Sequence, residues 1–121
     1  MFAANAIPDR QRMDVIIDQA LKPAEFRQLI ESVGKEAVKL KPGWAAAVDL
    51  RGMWISDPFV NEQFRLLQDA LLSGKADKIG TLLDSDAVKM RLWQAGTQTR
   101  SNAVTKRFHD VAQWERFLSE A

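Results

Sequence analysis

The chain has 121 residues, of which 46% are hydrophobic and 27% charged, and its 17 basic and 16 acidic residues leave a net charge of +1. This composition is typical of one globular domain covering residues 1–121, and the near-zero charge argues against nucleic-acid binding. The absence of cysteine excludes disulfides, thiolate metal sites and a cysteine nucleophile. No apolar run approaches the roughly 20 residues that span a bilayer, and no basic segment precedes an apolar stretch at the start, so we expect a cytoplasmic protein.

The first third of the chain predicts a hairpin followed by a helix. Two short extended segments, residues 3–7 and 12–18, flank a Pro-Asp turn. Pro23 suits the first turn of a helix over residues 23–40, in which apolar residues repeat at helical spacing. Gly34 lies inside this helix at a cost of about 1 kcal/mol relative to alanine, and it is interpreted as a close packing contact.

The middle of the chain predicts a buried strand and a second helix. Residues 44–50 form a nearly continuous apolar run between a Pro-Gly turn and Arg-Gly, as expected of a central strand. Asp57 then suits the N-cap of a helix over residues 58–73, because Pro58 fits the first helical position.

The last third alternates in the same way. Residues 78–83 and 104–109 are strand candidates, and helices are predicted over residues 86–95 and 111–119, the last one capped by Asp110. The whole order is β-β-α-β-α-β-α-β-α. It predicts an α/β fold with a mixed, mostly parallel sheet of about five strands, an N-terminal hairpin and four helices.

Two segments resemble the SpoIIAA-like superfamily, which contains the STAS domains of anti-sigma-factor antagonists and sulphate transporters. Residues 48–57, Val-Asp-Leu-Arg-Gly-Met-Trp-Ile-Ser-Asp, are similar to the central strand and following loop of that family. Residues 107–114, Arg-Phe-His-Asp-Val-Ala-Gln-Trp, resemble the C-terminal segment of an uncharacterised bacterial branch. The resemblance spans the chain and implies a single STAS-type domain that regulates another protein by binding it.

The chain departs from the family at the position of the phosphorylated serine. In anti-sigma antagonists a serine follows the aspartate before the second helix, whereas here Asp57 is followed by Pro58, which has no hydroxyl group. We therefore expect no phosphorylation switch at position 58. Ser56 is either a displaced acceptor or an ordinary residue near a helix start.

The residues that catalysis would need are few. His109 is the only histidine, and its neighbour Asp110 is better explained as a helix cap than as its catalytic partner. Asp77, Asp84 and Asp86 offer oxygen ligands for a cation, but the last two are also typical of a strand-to-helix turn. With no glycine-rich phosphate loop, we expect no enzyme, metal or cofactor.

Two surfaces are predicted to make contacts. The first follows the central strand, where ligands and partners of α/β sheets meet the carboxyl ends of parallel strands. Its residues are Arg51, Met53, Trp54, Ile55, Ser56, Asp57 and Phe59. Because side chains alternate along an extended segment, Trp54 is either buried in the core or presented at the rim. The second is a basic patch that suits an anionic membrane surface, a phosphate group or an acidic partner, or else is a solvated face: Lys89, Arg91, Arg100, Lys106 and Arg107.

The sequence leaves two functions open. The first is a non-catalytic regulatory module that binds a protein partner through the loop before the second helix. The second is binding of an apolar, lipid-like small molecule in a cleft between helices and sheet, with peripheral contact to a membrane; this follows from a resemblance of the superfamily's core to Sec14-type lipid-binding domains. Neither function requires a transmembrane segment, and both are compatible with a homodimer.

Overall fold

The computed structural model describes residues 1–54, 60–84 and 104–120. Three helices lie within these residues, α1 (Pro23–Ala37), α2 (Val60–Ser73) and α3 (Val111–Ser119). A short 3₁₀ turn, Pro8–Arg10, joins the first two strands. The strands are β1 (Phe2–Ile7), β2 (Arg12–Ile17), β3 (Trp44–Asp49), β4 (Ala76–Leu82) and β5 (Val104–Phe108).

The five strands form one sheet in chain order, β1-β2-β3-β4-β5. The first pair is an antiparallel hairpin, and β2, β3, β4 and β5 are parallel to one another. The predicted mixed, mostly parallel sheet with an N-terminal hairpin is therefore confirmed. The predicted central strand occupies the middle of the sheet, although it ends at Asp49 and not at residue 50.

Three of the four predicted helices lie within the described residues, and the first of them needs correction at its end. The first helix stops at Ala37. The chain then closes a turn, in which the Leu40 amide donates a 3.1 Å hydrogen bond to the Ala37 carbonyl. The described part of the second helix begins at Val60. The helix predicted at 111–119, which is α3 of the structure, begins where predicted, because the Asp110 carboxylate accepts hydrogen bonds from the backbone amides of Ala112 and Gln113. The helix predicted at 86–95 lies outside the described residues.

One face of the sheet is covered by α1 and α2. Alternate residues of the strands point to this face, among them Val48 and Trp44, which is 1% exposed. Phe26 of α1 and Phe64 of α2 meet edge to face with ring centroids 6.3 Å apart. A Cβ built on Gly34 meets nothing within 4 Å, so the expectation of a close packing contact at Gly34 is wrong.

The opposite face of β3 and β4 is covered by α3. Trp114, Phe117 and Leu118 pack there against the small side chains of Ala45 and Ala47. A Cβ added at Gly80 would lie 3.0 Å from the Phe117 ring, and the Gly80 carbonyl accepts a 2.9 Å hydrogen bond from the Trp114 indole. Small residues in the middle of the sheet thus let α3 approach the backbone closely.

Arg12 ties α3 to β2. Its guanidinium donates two hydrogen bonds to the Glu115 carboxylate, of 2.6 and 3.1 Å, and one of 2.6 Å to Asp14. The same group lies 5.6 Å from the centroid of the Trp114 ring. Only 5% of Arg12 is exposed, so these contacts replace nearly all of the hydration of its guanidinium group.

Replacing Glu115 by alanine is expected to destabilise the fold. The change removes both Glu115 hydrogen bonds from a buried cation, and we expect a loss of about 1.5–3 kcal/mol in the free energy of unfolding, measured by urea denaturation. Arg10→Ala is the matched control, since Arg10 is more exposed and lies 3.7 Å from Glu115. Its loss is expected to stay below about 1 kcal/mol. Equal losses in the two variants would contradict a special role for the Arg12 contact.

The same contact predicts a dependence of stability on acid pH. The hydrogen bond from Arg12 holds the pKa of Glu115 below its ordinary value. A lowered pKa in the folded state stabilises the protein above the pKa of the unfolded chain, and this stabilisation is lost as the pH falls through the folded value. We expect Glu115→Gln to reduce the loss of stability below about pH 4. An unchanged pH profile of unfolding in this variant would exclude the effect.

Candidate functional site

The carboxyl ends of the four parallel strands lie at the same end of the sheet. Backbone hydrogen bonds continue past the strands there, from Leu50 to Leu82 and from Leu83 to Phe108, both of 2.9 Å. The segments that follow the strands at this end are consequently held in register with one another. The carboxyl end of the strands is where α/β sheets usually bind their ligands and partners.

The chain leaves β3 through a tight turn, residues 50–54, which we name the Trp54 loop. The Met53 amide donates a 3.1 Å hydrogen bond to the Leu50 carbonyl, closing the turn around Arg51 and Gly52. Leu50 is 0% and Met53 4% exposed, so both ends of the turn are anchored in the core. The side chain of Trp54 directly follows the buried Met53.

Arg51 is fixed along this loop by Asp49. The Asp49 carboxylate accepts hydrogen bonds from the Arg51 amide at 3.1 Å, from its Nε at 3.1 Å and from its Nη2 at 2.9 Å. This hydrogen bonding raises the pKa of Arg51. The pair neutralises most of the charge and restrains the loop. Sequence reasoning gave Asp49 no role, although an acid two residues before an arginine at a strand end was an available signal.

Gly52 is in close contact with Asp18, the residue that follows β2. A Cβ built on Gly52 would lie 1.7 Å from Asp18 Oδ1 and 3.1 Å from its Cα. Asp18 is itself held by a 2.8 Å hydrogen bond from its amide to the Met1 carbonyl. The Trp54 loop therefore rests on the end of β2, at a point where a Cβ would have to displace the Asp18 carboxylate. This contact was missed from the sequence, because it depends on β2 and β3 being neighbours.

Trp54 is presented at the surface. Trp54 is 60% exposed, whereas the preceding Met53 is buried. Of the two alternatives left open by the sequence, the structure shows the one in which Trp54 lies at the rim. The remaining predicted members of this surface lie outside the described residues: Ile55, Ser56, Asp57 and Phe59.

Of the residues considered for catalysis or metal binding, those that the structure describes are engaged or separated, and Asp86 lies outside the described residues. His109 Nδ1 lies 3.0 Å from the Leu83 carbonyl oxygen, and the Asp110 carboxylate caps α3. Asp77 is the second residue of β4 and Asp84 follows its end, so they lie at opposite ends of a seven-residue strand. Within residues 1–54, 60–84 and 104–120, no group of three or more His, Asp or Glu side chains is placed to hold a metal ion.

The basic residues on β5 are divided between the two faces of the sheet. Lys106 points towards α3, where its Nζ lies 5.5 Å from the Phe117 ring centroid. Arg107 follows it in the strand, pairs in register with Thr81 and is exposed. The other members of the predicted patch lie outside the described residues: Lys89, Arg91 and Arg100.

Two cavities lie away from the Trp54 loop. One, of about 470 Å³, is lined largely by charged and polar residues near the end of α3, including Arg10, Asp77 and Lys78. The other, of about 520 Å³, lies between the C-terminal ends of α1 and α2 and is lined mainly by small and apolar residues such as Ile30 and Ala70. Each is formed by residues of helix and strand ends, on surfaces other than that of Trp54.

The chain matches no protein-family model, and no curated protein gives a significant match to it. Among the described residues, every helix is too short or too polar to cross a membrane.

Adding a methyl group at Gly52 is expected to disturb the Trp54 loop. Gly52→Ala forces the exposed Asp18 carboxylate away from its position, and we expect a loss of about 1 kcal/mol in the free energy of unfolding. Gly34→Ala is the control, because open space surrounds that position and alanine is the better helix former. It should raise stability by up to about 1 kcal/mol. Urea denaturation of both variants measures the difference, and a neutral Gly52→Ala would contradict the close contact.

Proposed function

We propose that this chain is a non-catalytic interaction module that regulates a partner protein by binding it through the Trp54 loop. The observation that carries the proposal is the 60% exposure of Trp54 at the end of a turn whose preceding residues are held by the core and by Asp18. The contact surface includes Arg51 and extends to the residues that follow Trp54 in the chain: Ile55, Ser56, Asp57 and Phe59.

The energetics of tryptophan support this assignment. An indole ring offers a large apolar area with few rotatable bonds, so that burying it against a partner gains much at a small entropic cost. Tryptophan is accordingly enriched among the residues that dominate binding energy at protein interfaces. Here the ring sits where a sheet of this class meets its ligands.

The rigidity of the loop supports the same conclusion. Leu50 and Met53 anchor its backbone in the core, Gly52 rests on Asp18, and Arg51 is held by Asp49. A surface that is already ordered loses little conformational freedom when a partner binds. The loop is therefore suited to recognition without a change of its own backbone.

We further propose that the domain is a divergent SpoIIAA-like, STAS-type module. The support is the order of elements, with an N-terminal hairpin and three further parallel strands, together with the likeness of residues 48–57 to the central strand and following loop of that family. Pro58 stands where that family has a phosphorylated serine, so binding here would be controlled by means other than phosphorylation at position 58.

Trp54→Ala tests the binding surface. Because Trp54 is largely exposed, we expect the free energy of unfolding to change by less than about 0.5 kcal/mol. The partner protein is first identified by cross-linking and affinity purification with the parent chain. Its affinity for the variant, measured by calorimetry, is expected to fall at least about tenfold, as for truncation of an aromatic interface residue.

Met53→Ala is the matched control, since Met53 is the adjacent residue but is buried. We expect it to lower stability by about 2–5 kcal/mol as a core truncation. The assignment of the surface would be overturned if Trp54→Ala lowered the free energy of unfolding as much as Met53→Ala does. Unchanged affinity of the variant for the partner would overturn it as well.

The cavity between α1 and α2 favours the second function, binding of an apolar small molecule. It has a volume of about 520 Å³ and includes Ile30, Ala37 and Leu40 in its lining. A retained ligand would be detected by native mass spectrometry of the purified chain. Ligand retention that Trp54→Ala leaves unchanged and Ala70→Trp abolishes would favour this function over the first.

A further inference from the structure

The two edges of the sheet differ in their protection against pairing with another strand. Edge strands expose unpaired N–H and C=O groups, and natural proteins often guard them with charged side chains. At one edge β5 carries Lys106 and Arg107. At the other edge β1 has the sequence Phe-Ala-Ala-Asn-Ala-Ile, which contains no charged residue and no proline. The edge at β1 therefore needs protection from elsewhere in the fold.

The register of the hairpin shows which groups of β1 are unpaired with β2. The Asp18 amide donates to the Met1 carbonyl at 2.8 Å, so these two residues form a hydrogen-bonded pair of the antiparallel ladder. Such pairs alternate with non-bonded ones. The N–H and C=O groups of Phe2, Ala4 and Ala6 consequently point away from β2, towards the free edge.

Helix α1 supplies the protection. It packs over the face of β1, where Ala4 belongs to the core. At Ala6 the outward amide donates a 2.9 Å hydrogen bond to Oε1 of Glu36, near the end of α1. The other oxygen of Glu36 is 2.5 Å from the Lys39 ammonium group.

These contacts keep Glu36 in the form that caps the edge. The hydrogen bonds from Lys39 and from the Ala6 amide lower the pKa of Glu36, so the carboxylate stays ionised. The side chain of Glu36 is 18% exposed, which means that it is packed against the edge and does not extend freely into solvent.

We infer that Glu36 is an edge guard, which prevents β1 from pairing with β1 of a second copy of this chain. A second copy fits the uncharged β1 edge because an antiparallel strand pair is self-complementary under two-fold symmetry. Two β1 strands related in this way carry no like charges that would repel each other. Pairing Ala6 of each copy with Ala4 of the other requires the Ala6 amide that Glu36 occupies.

The test compares Glu36→Ala with Glu31→Ala. Both variants remove an acid from α1 and introduce the best helix former, but Glu31 is exposed and only Glu36 caps β1. We expect self-association of Glu36→Ala, measured by sedimentation velocity over a concentration series, to be about tenfold stronger than that of Glu31→Ala. Circular dichroism confirms that both variants are folded.

Two further variants identify the group responsible. Glu36→Gln keeps an oxygen that accepts from Ala6, and it should behave as the parent chain. The double variant Glu36→Ala with Ala6→Pro lacks the freed amide, and proline is tolerated where an edge N–H faces outward. It should return to the level of association of the parent chain.

Equal association of Glu36→Ala and Glu31→Ala would overturn the inference. So would strong association of Glu36→Gln, which would implicate the charge and not the hydrogen bond, or strong association of the double variant. None of these results depends on binding at Trp54, which lies at the end of β3 and not on the β1 edge.

Discussion

The close packing of helices against both faces of β3 is the constraint on which the rest of the structure depends. Ala46 and Val48 point towards α1 and α2, while Ala45 and Ala47 point towards α3. A strand covered on both faces must be apolar throughout, and small residues are needed where a helix with large aromatic side chains lies close. The alanines that weaken the strand propensity of β3 therefore have a packing role.

This arrangement also determines the geometry of the candidate site. Because β3 is held in the centre of the sheet, the turn that follows it starts from a rigid position. The burial of Leu50 and Met53 carries that rigidity through the turn, and the contact between Gly52 and Asp18 adds support from β2. Trp54 is thus exposed directly after a turn that is anchored in the core.

The elements that could be predicted from the sequence are those with strong local signals. The hairpin, the apolar β3 segment and the helix capped by Asp110 follow from turn residues, periodicity and capping. The end of α1 was predicted three residues too late, because Val38 and Leu40 continue the apolar pattern beyond the last helical residue, Ala37.

The contacts that could not be predicted join residues far apart in the chain. Arg12 and Glu115 are separated by 103 positions, and Ala6 and Glu36 by 30. Each contact depends on which strands are neighbours and on which face a helix packs, and local patterns carry no information about either. For Trp54, alternation of side chains showed that it differs from Met53 but left open which of the two is buried.

The docking of α3 has a consequence for how the chain folds. It is the last of the described elements in chain order, and its anchor, Arg12, begins the second strand. During synthesis from the N-terminus, the apolar surface formed by Ala45, Ala47 and Leu82 is complete before its covering helix exists. The α3 face of the sheet is therefore the last part of the described core to be covered.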